Sequence, residues 1–251
     1  MKRFLNKNIL ITGSANGIGK ATALRIATEG GNLALIDNNS EKLKELCNEL
    51  SFFPIKFVSA VCDISDYNLV KICIDKLAEE LGGLNGLSHN AGILRVYKTL
   101  EMNLNQWNEL ISINLTGTFN VNKHALPWLL KNKTSYLVNT SSSASEQPHP
   151  WLAAYAATKG AIKSFTRSLF IEYFQHGLHA NCVLPGGITT DLANSFSFPE
   201  GVNKELIKTL DPLGQKIYAE PAKAASVIAM LLSEDAEHIN GTEIAIDGGK
   251  V

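Results

Sequence analysis

The sequence predicts an α/β fold in which a doubly wound parallel sheet of seven strands has helices on both faces. Three observations predict it. Short apolar segments alternate along the chain with longer segments that have helical character. Strands separated by helices form βαβ units, which give parallel sheets covered on both faces. A glycine-rich turn, residues 12–19, also lies directly between the first strand and the first helix.

The strands are predicted from short apolar runs that end near Gly, Pro, Asn or Asp. With helices between them, these runs are expected to lie in one sheet. They cover residues 8–12, 32–36, 55–61, 84–88, 135–140, 178–184 and 243–246.

The helices are predicted from capping residues and helix breakers. The first runs through residues 20–27 and stops at Gly30 and Gly31. The second is capped by Ser40, and either Ser65 or Asp66 opens the third. The second ends near residue 50 and the third near 81; later helices cover about 105–130, a segment carrying Tyr155 to about 175, and about 221–232.

The chain is predicted to form one domain, residues 1–251. Its length suits one large domain, and no internal repeat, low-complexity tract or linker marks a boundary. Hydrophobic residues make up 45% and charged residues 19% of the chain, so a large core is available. The net charge is −1 and no run of Lys or Arg occurs, which argues against a nucleic-acid or membrane-surface partner.

The cysteines and histidines predict neither a metal site nor a disulfide. The four cysteines are scattered and include no C-x-x-C pair. His176 and His179 are three apart, but Gly177 between them indicates a turn. The apolar stretch near the amino terminus is too short for a signal peptide or a membrane span. We therefore expect a cytoplasmic protein with reduced thiols.

The glycine-rich turn is a candidate phosphate-binding site. Glycine allows a tight turn and a close approach of the backbone to a ligand. Unpaired amides at the start of the following helix, together with the helix dipole, favour an anionic diphosphate there. The alternative is a tight connection without a ligand, which the strand–turn–helix context disfavours. The candidate cofactor-binding residues of this turn are Gly13, Ser14, Asn16, Gly17, Ile18 and Gly19.

Asp37 is the candidate that selects the cofactor. It follows the second predicted strand, 24 positions beyond Gly13. A carboxylate there can accept hydrogen bonds from an adenosine ribose, and it would repel a 2′-phosphate. Positions 14–16, 38 and 39 contain no Lys or Arg that would attract such a phosphate. The sequence therefore predicts NAD over NADP; a simple turn or N-cap residue is the alternative role of Asp37.

Tyr155 and Lys159 form a candidate acid–base pair. They are four apart in a segment rich in helix formers, so they lie on one helix face. A phenol has a pKa near 10, and a neighbouring cation lowers that pKa. A shift of about three units, equal to about 4 kcal/mol, would give an acid–base group near neutral pH. Taken alone, such a pair is more typical of a solvated helix surface, and the other motifs give it weight.

With these motifs the chain resembles the short-chain dehydrogenase/reductase family in its shorter form, which implies a Rossmann-type fold. The resemblance runs nearly end to end. At His89 the family more often has Asn, a departure expected to concern strand packing more than chemistry. The motifs are Thr12-Gly13-x-x-x-Gly17-Ile18-Gly19, Asp63, Asn90-Ala91-Gly92, Asn114, Asn139-x-Ser141-Ser142, Tyr155-x-x-x-Lys159, Pro185-Gly186 and Asp247-Gly248-Gly249.

The resemblance implies an oxidoreductase that transfers hydride between a nicotinamide and the carbon of a secondary alcohol or ketone. Tyr155 would exchange the proton at the substrate oxygen, and Lys159 would lower the pKa of Tyr155 and hold the nicotinamide ribose. Ser142 would hydrogen-bond the substrate oxygen, although either neighbouring serine could take this role. Asn114 would hold a water that links Lys159 to solvent; a buried, satisfied helix residue is the alternative.

The resemblance also implies the remaining cofactor contacts. Asp63 would meet the adenine amino group, and Thr190 would hydrogen-bond the nicotinamide carboxamide or the diphosphate. The other implied contacts flank the adenosine ribose or the nicotinamide. Beyond the glycine turn and Asp37, the implied cofactor-binding residues are Asp63, Ile64, Asn90, Ala91, Gly92, Tyr155, Lys159, Pro185, Gly186, Ile188 and Thr190.

Residues 191–214 lie where the family carries a mobile lid over its substrate. Their apolar side chains with Gly and Pro suit a loop that closes and excludes water, with an ordinary surface loop carrying a short helix at 203–210 as the alternative. The implied substrate is carbon-rich with few charges, and a 3-oxoacyl thioester, a steroid, a sugar-derived polyol and a small secondary alcohol all remain open. Arg95 could meet an anionic group or be solvated. The candidate substrate contacts are Ser142, Leu94, Val96, Ala144, Trp151 and Phe196.

The helix that carries Tyr155 is apolar on more than one side, so it needs cover beyond the sheet. Ile162, Phe165 and Leu169 form one stripe, with Phe170 and Phe174 beside it. A second subunit could supply that cover, and the resemblance implies a homotetramer. The competing function is a non-catalytic dinucleotide sensor or scaffold, which would need none of the acid–base residues. An isomerase or lyase on this fold usually has a longer substrate domain than this chain has room for.

Overall fold

The computed structural model describes residues 2–190, 197–208, 210 and 218–249. Its strands are β1 (Asn8–Thr12), β2 (Asn32–Asp37), β3 (Phe57–Val61), β4 (Gly86–His89), β5 (Ser135–Thr140), β6 (Leu178–Pro185) and β7 (Glu243–Ile246). These form one sheet in the order β3-β2-β1-β4-β5-β6-β7, and every neighbouring pair is parallel. The predicted seven-stranded α/β fold is therefore confirmed.

The helices connect these strands and cover both faces of the sheet. They are α1 (Gly17–Thr28), α2 (Ser40–Leu50), α3 (Tyr67–Leu81), α4 (Leu104–Leu110), α5 (Gly117–Leu129), α6 (Ala153–Tyr173), α7 (Lys204–Lys208) and α8 (Pro221–Leu231). Apolar residues pack into two main clusters, one of which joins α1, α2 and α8 to the sheet, while the other joins α3, α5 and α6 to it. Among the described residues, no helix is long and apolar enough to cross a membrane.

The sheet order creates a crevice at the carboxyl ends of β1 and β4. The chain passes from β1 outward to β2 and β3, then returns to add β4 on the other side of β1. Thr12 and His89, the last residues of the two strands, are register partners. In open α/β sheets, ligands bind where the strand order reverses in this way.

Several predicted boundaries are corrected by the structure. The cap of α2 is Asn39, not Ser40, because the Asn39 side chain accepts from the amide of Lys42 at 3.0 Å. Of the two candidates for opening α3, Asp66 is the cap, and its side chain accepts from the amide of Leu69. The third strand begins at Phe57 rather than at residue 55.

The helical region predicted over 105–130 is not one continuous α-helix. Residues Ile111–Thr116 form a π-helix between α4 and α5, and Asn114 lies within it. Such segments contain an extra residue in the helical turn and are common at functional sites.

The prediction that α6 is apolar on more than one side is only partly met. Ile162 and Leu169 are buried, and Phe170 lies under the loop before β7, where a Cβ on Gly241 would come within 2.4 Å of its ring. Ile171 and Phe174 are 72% and 59% exposed. The large exposed apolar side chains therefore lie at the end of α6 and in the residue that follows it.

Candidate active site

A cleft of about 680 Å³ lies at the carboxyl edge of the sheet, over the crevice between β1 and β4. A volume of this size is typical of sites for small molecules and cofactors. The predicted site residues that line it are Gly13, Asn16, Gly17, Ile18, Gly19, Asp37, Asp63, Ile64, Asn90, Ala91, Gly92, Leu94, Val96, Ser142, Ala144, Tyr155, Lys159, Pro185, Gly186, Ile188 and Thr190.

The glycine turn brings backbone amides to the floor of this cleft. Gly13 has a φ of 61°, and a Cβ there would lie 2.8 Å from the amide nitrogen of Ala91. A Cβ on Gly19 would lie 2.0 Å from the carbonyl oxygen of Gly13. Only glycine therefore permits both the turn and its close contact with the segment after β4. Because α1 begins at Gly17, its amino end points into the cleft, as binding of an anionic diphosphate requires.

Ser14 is the one residue of this turn that does not line the cleft as expected. Its hydroxyl donates to the carbonyl of Ile36 at 3.1 Å, and its amide donates to the same oxygen. The side chain is fully buried against β2. The side chain of Ser14 therefore fixes the turn to the neighbouring strand, and contact of this residue with a cofactor stays a prediction.

Asp37 is held by backbone amides at the adenosine end of the cleft. One carboxylate oxygen accepts from the amide of Ala15 and the other from the amide of Asn39, both at 2.9 Å. The carboxylate is thus fixed between the glycine turn and the start of α2, where an adenosine ribose would lie. Lys42 also lines this end of the cleft. It lies beyond positions 38 and 39, so the sequence-based prediction of the cofactor did not include it.

The structure therefore fits a nicotinamide dinucleotide. The glycine turn with the amino end of α1 suits the diphosphate, and Asp37 suits the ribose hydroxyls. Asp63 also lines the cleft, where its carboxylate accepts from the amide and the hydroxyl of Ser65. At the opposite end, Pro185 ends β6 and Gly186 follows it, and both line the cleft together with the acid–base pair.

Tyr155 and Lys159 lie in the first turns of α6 and are both buried. The Lys159 Nζ atom lies 5.7 Å from the centre of the Tyr155 ring and donates to the carbonyl of Thr140 at 2.9 Å. The side chain of Ser142 lies close enough to Tyr155 to favour its phenolate and so to lower the pKa of the phenol. The Ser141 hydroxyl instead donates to the carbonyl of Lys159 at 2.7 Å, so Ser142 is the one placed beside Tyr155.

The expected effect of Lys159 on the pKa of Tyr155 is not present in this structure. Burial raises the pKa of Tyr155 to about 12, and the side chain of Ser142 opposes this only in part. Burial also lowers the pKa of Lys159 to about 8, since a desolvated ammonium is disfavoured. The sequence-based expectation was wrong because it counted the neighbouring charge but not the desolvation of both groups. Tyr155 is accordingly a neutral phenol here, the form that can donate a proton.

Asn114 does not line the cleft but lies directly behind it, fully buried. Its carboxamide accepts from the amide of Ile93 at 2.8 Å and donates to the carbonyl of Ile93 at 2.9 Å. It also donates to the hydroxyl of Thr158, which donates to the carbonyl of Tyr155. A Cβ on Gly92 would lie 3.1 Å from the side-chain oxygen of Asn114 and 3.5 Å from the Nζ atom of Lys159. Both polar atoms therefore lie next to Gly92.

The remaining part of the cleft is mostly apolar. Of the predicted substrate residues, Leu94, Val96 and Ala144 line it, but Trp151 does not. The Trp151 ring packs edge-on against Phe198, which does line the cleft, with ring centres 5.6 Å apart. Phe196 and the stretches 191–196 and 211–217 lie outside the described residues.

Several cleft residues were missed by the sequence-based prediction. His149 and Leu152 precede α6, and their positions just before Tyr155 could have indicated them. Lys42 could have been found because it lies one turn into α2, beyond the positions considered. Tyr218 lies outside every pattern of a predicted helix or strand, so no local signal indicated it. The missed residues named here are Lys42, Cys62, His149, Leu152 and Tyr218.

The fold and this site together define a pyridine-nucleotide oxidoreductase that acts on a secondary alcohol or ketone. The model of the short chain dehydrogenase family matches residues 7–200, and the chain belongs to this family.

Relatives with named activities share nearly the whole chain. It is 32% identical over 249 residues to 3-oxoacyl-[acyl-carrier-protein] reductase FabG of Thermotoga maritima, covering 99% of both chains. It is 35% identical over 249 residues to meso-2,3-butanediol dehydrogenase of Serratia marcescens, covering 98% of this chain and 95% of the relative. The crystal structure of levodione reductase superposes with a TM-score of 0.90 at 32% identity, covering 98% of each chain.

Proposed function

We propose that this protein is an NAD-dependent dehydrogenase or reductase of a neutral, largely apolar secondary alcohol or ketone. The observation that carries the proposal is the constellation of Ser142, Tyr155 and Lys159 beside the nicotinamide end of a cleft whose adenosine end holds a fixed carboxylate. The bound dinucleotide would supply the hydride acceptor or donor. The chain supplies position, proton transfer and exclusion of water.

Tyr155 exchanges the proton at the substrate oxygen. The buried neutral phenol would donate its proton to the oxygen of a ketone that is reduced, which leaves a phenolate. In the direction of oxidation the phenolate would accept the proton of the alcohol, which restores the phenol. Ser142 hydrogen-bonds the same substrate oxygen, which orients it and stabilises charge that develops there. Lys159 holds the nicotinamide ribose, and Asn114 keeps the polar contacts behind Lys159 in place.

The preference for NAD is supported by the contacts of Asp37. Both of its carboxylate oxygens accept from backbone amides, so the carboxylate cannot turn away from the ribose site without losing these bonds. A 2′-phosphate would meet this fixed negative charge at close range. Lys42 is the cation of the described cleft that could offset the repulsion, so its contribution must be measured together with that of Asp37.

The lining of the substrate end supports an uncharged substrate. Its side chains are apolar apart from hydroxyl groups and the imidazole of His149. The described cations of the cleft are Lys42, at the adenosine end, and Lys159, whose ammonium donates to Thr140. Arg95 is paired with Glu109 at 2.9 Å outside the lining, so it does not provide a site for an anion. The apolar lining residues are Leu94, Val96, Ala144, Leu152, Phe198, Ile207 and Leu210.

Residues 191–214 are proposed to form the lid of this site. In the described part, Phe198, Ile207 and Leu210 already contribute to the cleft wall. Phe198 is held by its contact with Trp151, whose backbone has a φ of 64°. A bulky residue with positive φ is strained, and such strain persists where surrounding structure enforces it. This contact between Trp151 and Phe198 supports the proposal that the lid is held against the segment before α6.

A cytoplasmic homotetramer is the proposed form of the enzyme. Apolar residues on α4 and α5 are left exposed, among them Leu104 at 70% and Phe119 at 43%. Trp107, on α4, adds to this surface, and apolar surfaces of this kind are common at subunit interfaces. The four cysteines are free thiols, which suits a reducing compartment.

The function is tested by a panel of alcohols and ketones assayed with NAD(H) and with NADP(H) at 340 nm. The panel contains a vicinal diol, a cyclic alcohol, a hydroxysteroid and a 3-hydroxyacyl thioester, together with the ketones that correspond to them. We expect turnover of at least one neutral member and a higher kcat/KM with NAD(H). No turnover of any member despite tight binding of NADH would contradict the enzyme, and preference for NADP(H) would contradict the cofactor.

A further inference from the structure

His89 lies at the end of β4, fully enclosed beneath the cleft, with 1% of its surface exposed. Its Nδ1 atom is 2.7 Å from the hydroxyl of Thr12, the last residue of β1. Its Nε2 atom is 3.0 Å from the hydroxyl of Thr118, in the first turn of α5. The imidazole therefore joins the strand that leads into the glycine turn to the helix that follows the π-helix.

The contacts of Thr118 determine where the proton of His89 lies. The Thr118 hydroxyl donates its single hydrogen to the carbonyl of Asn114 at 2.5 Å. It must therefore accept from His89, which places the imidazole proton on Nε2. Nδ1 is then an acceptor, and it takes the hydrogen of the Thr12 hydroxyl. The hydroxyl of Thr12 in turn accepts from the amide of Ala91 at 3.4 Å.

Asn114 connects these bonds to the helix that carries the acid–base pair. Its backbone carbonyl accepts from Thr118, and its side-chain amide donates to the Thr158 hydroxyl, which donates to the backbone carbonyl of Tyr155. The same Asn114 carboxamide holds both backbone groups of Ile93 in the cleft wall. The hydrogen bonds thus span the site from the strand before the cofactor turn to the helix that carries Tyr155.

An uncharged imidazole is required for this arrangement, because a protonated ring would direct a hydrogen from Nδ1 at the hydrogen of Thr12. Burial and the nearby charge of Lys159 lower the pKa of His89 to about 3, so the ring is neutral at physiological pH. The geometry of the hydroxyl groups and the desolvation of the ring thus independently indicate a neutral His89.

We propose that His89 is a positioning residue, which in its Nε2-protonated form ties the end of β1 to the π-helix and thereby holds Asn114 and Tyr155 in register with the cofactor turn. This role goes beyond strand packing, which was the effect expected from the departure at this position. Asn in place of His89 could still accept from Thr12, since its amide oxygen lies near the position of Nδ1. It is too short to reach Thr118, so it would lose the link to the π-helix.

The inference rests on the proposed function, because it assigns a kinetic consequence to the position of Asn114. Its first test does not depend on activity. The tautomer is read from the nitrogen-15 shifts of the histidine rings in the cofactor-free protein, and His89→Asn identifies the signal that belongs to His89. A single neutral tautomer with the proton on Nε2 is expected at pH 7; a proton on Nδ1 or a charged ring would overturn the proposal.

The second test is a double-mutant cycle on His89→Asn and Thr118→Val, measured with the best substrate of the panel. Both changes break the same link, so each should lower kcat about tenfold, equal to about 1.4 kcal/mol of barrier, and the double variant should lose no more than either single variant. The dissociation constant of NADH, from its fluorescence, should stay unchanged. Thr166→Val is the matched control, because Thr166 is likewise a buried threonine. Its substitution removes the hydrogen bond that its hydroxyl accepts from the side chain of Asn139.

The cycle separates the failure of this inference from the failure of the proposed function. If the wild type turns over no substrate, the proposed function fails while the tautomer measurement still decides the geometry. If the wild type is active, unchanged kcat in both single variants overturns the positioning role. Losses that multiply in the double variant, or an equal loss in Thr166→Val, would also overturn it, because they would show a general effect on packing.

Discussion

Acid sensitivity of folding offers a quantitative test of the buried environment of His89. The pKa of His89 is lowered from the ordinary value of 6.5 to about 3, with desolvation as the largest cause and Lys159 as the second. Between these two pH values the unfolded chain binds a proton at this position that the folded chain does not. The free energy of unfolding must therefore fall as the pH falls from 6.5 toward 3.

The magnitude follows from the size of the shift. Each pH unit below 6.5 costs about 1.4 kcal/mol, so this histidine alone lowers the free energy of unfolding by about 2.7 kcal/mol between pH 7.5 and 4.5. The loss is absent well above pH 6.5, where His89 is neutral in both states. Other groups contribute over the same range, including His124 and His179, whose pKa values burial also lowers. They are unchanged in a variant at position 89.

The assay compares urea unfolding of the wild type and of His89→Asn at a fixed protein concentration between pH 7.5 and 4.5. The variant should have a lower free energy of unfolding at pH 7.5, because it loses the bond to Thr118. Between pH 7.5 and 4.5, however, its free energy of unfolding should decrease by about 2.7 kcal/mol less than that of the wild type. His176→Asn removes an exposed histidine and should follow the wild-type slope. Parallel curves for the wild type and His89→Asn would refute the reasoning.

Two further predictions concern the cofactor and the assembly. Asp37→Ala should lower kcat/KM for NAD and raise it for NADP, because the ribose loses a hydrogen-bond acceptor and the 2′-phosphate is no longer repelled. Asp75→Ala, which removes a carboxylate outside the cleft lining, should leave the ratio of the two kcat/KM values unchanged. The same ratio in Asp37→Ala as in the wild type would contradict the role of Asp37. Light scattering at micromolar concentration should give about four times the chain mass of 27.3 kDa. Phe119→Asp should lower that mass, while Phe52→Asp, which alters an exposed phenylalanine on another surface, should not; a monomeric wild type would contradict the assembly.

The sequence was sufficient for the fold because the features that define it are local. Each strand and helix has its own pattern of apolar residues, and caps such as Asp66 act on their own helix. The glycine turn is likewise a local feature, since the required backbone conformation at Gly13 leaves little choice of residue. Its location between a strand and a helix then indicated the site without any knowledge of distant contacts.

The π-helix could not be predicted from the sequence because its causes are distant in the chain. Asn114 bonds to Ile93 and Thr158, which are 21 and 44 positions away. Helical periodicity over a window of neighbouring residues carries no information about such contacts. The expected role of Asn114 in holding a water stays a prediction.

The electrostatics of the acid–base pair were also beyond the sequence. Spacing on one helix face placed Lys159 close to Tyr155, but it could not show that both groups are buried. Burial decides the direction of both pKa shifts, and it raises the pKa of Tyr155 rather than lowering it. The substrate wall was predicted least well, because residues such as His149 and Tyr218 line the cleft but belong to no helix or strand.

The central claim is that Tyr155 transfers the proton while other residues bind the dinucleotide, and Tyr155→Phe tests it most directly. NADH binding, followed by fluorescence titration, and turnover of the best substrate are measured on the same preparation, with Tyr136→Phe as a control for the loss of a tyrosine hydroxyl elsewhere on the sheet. We expect Tyr155→Phe to bind NADH like the wild type and to lose nearly all turnover, and Tyr136→Phe to retain it. Turnover of Tyr155→Phe at the wild-type rate would contradict the account.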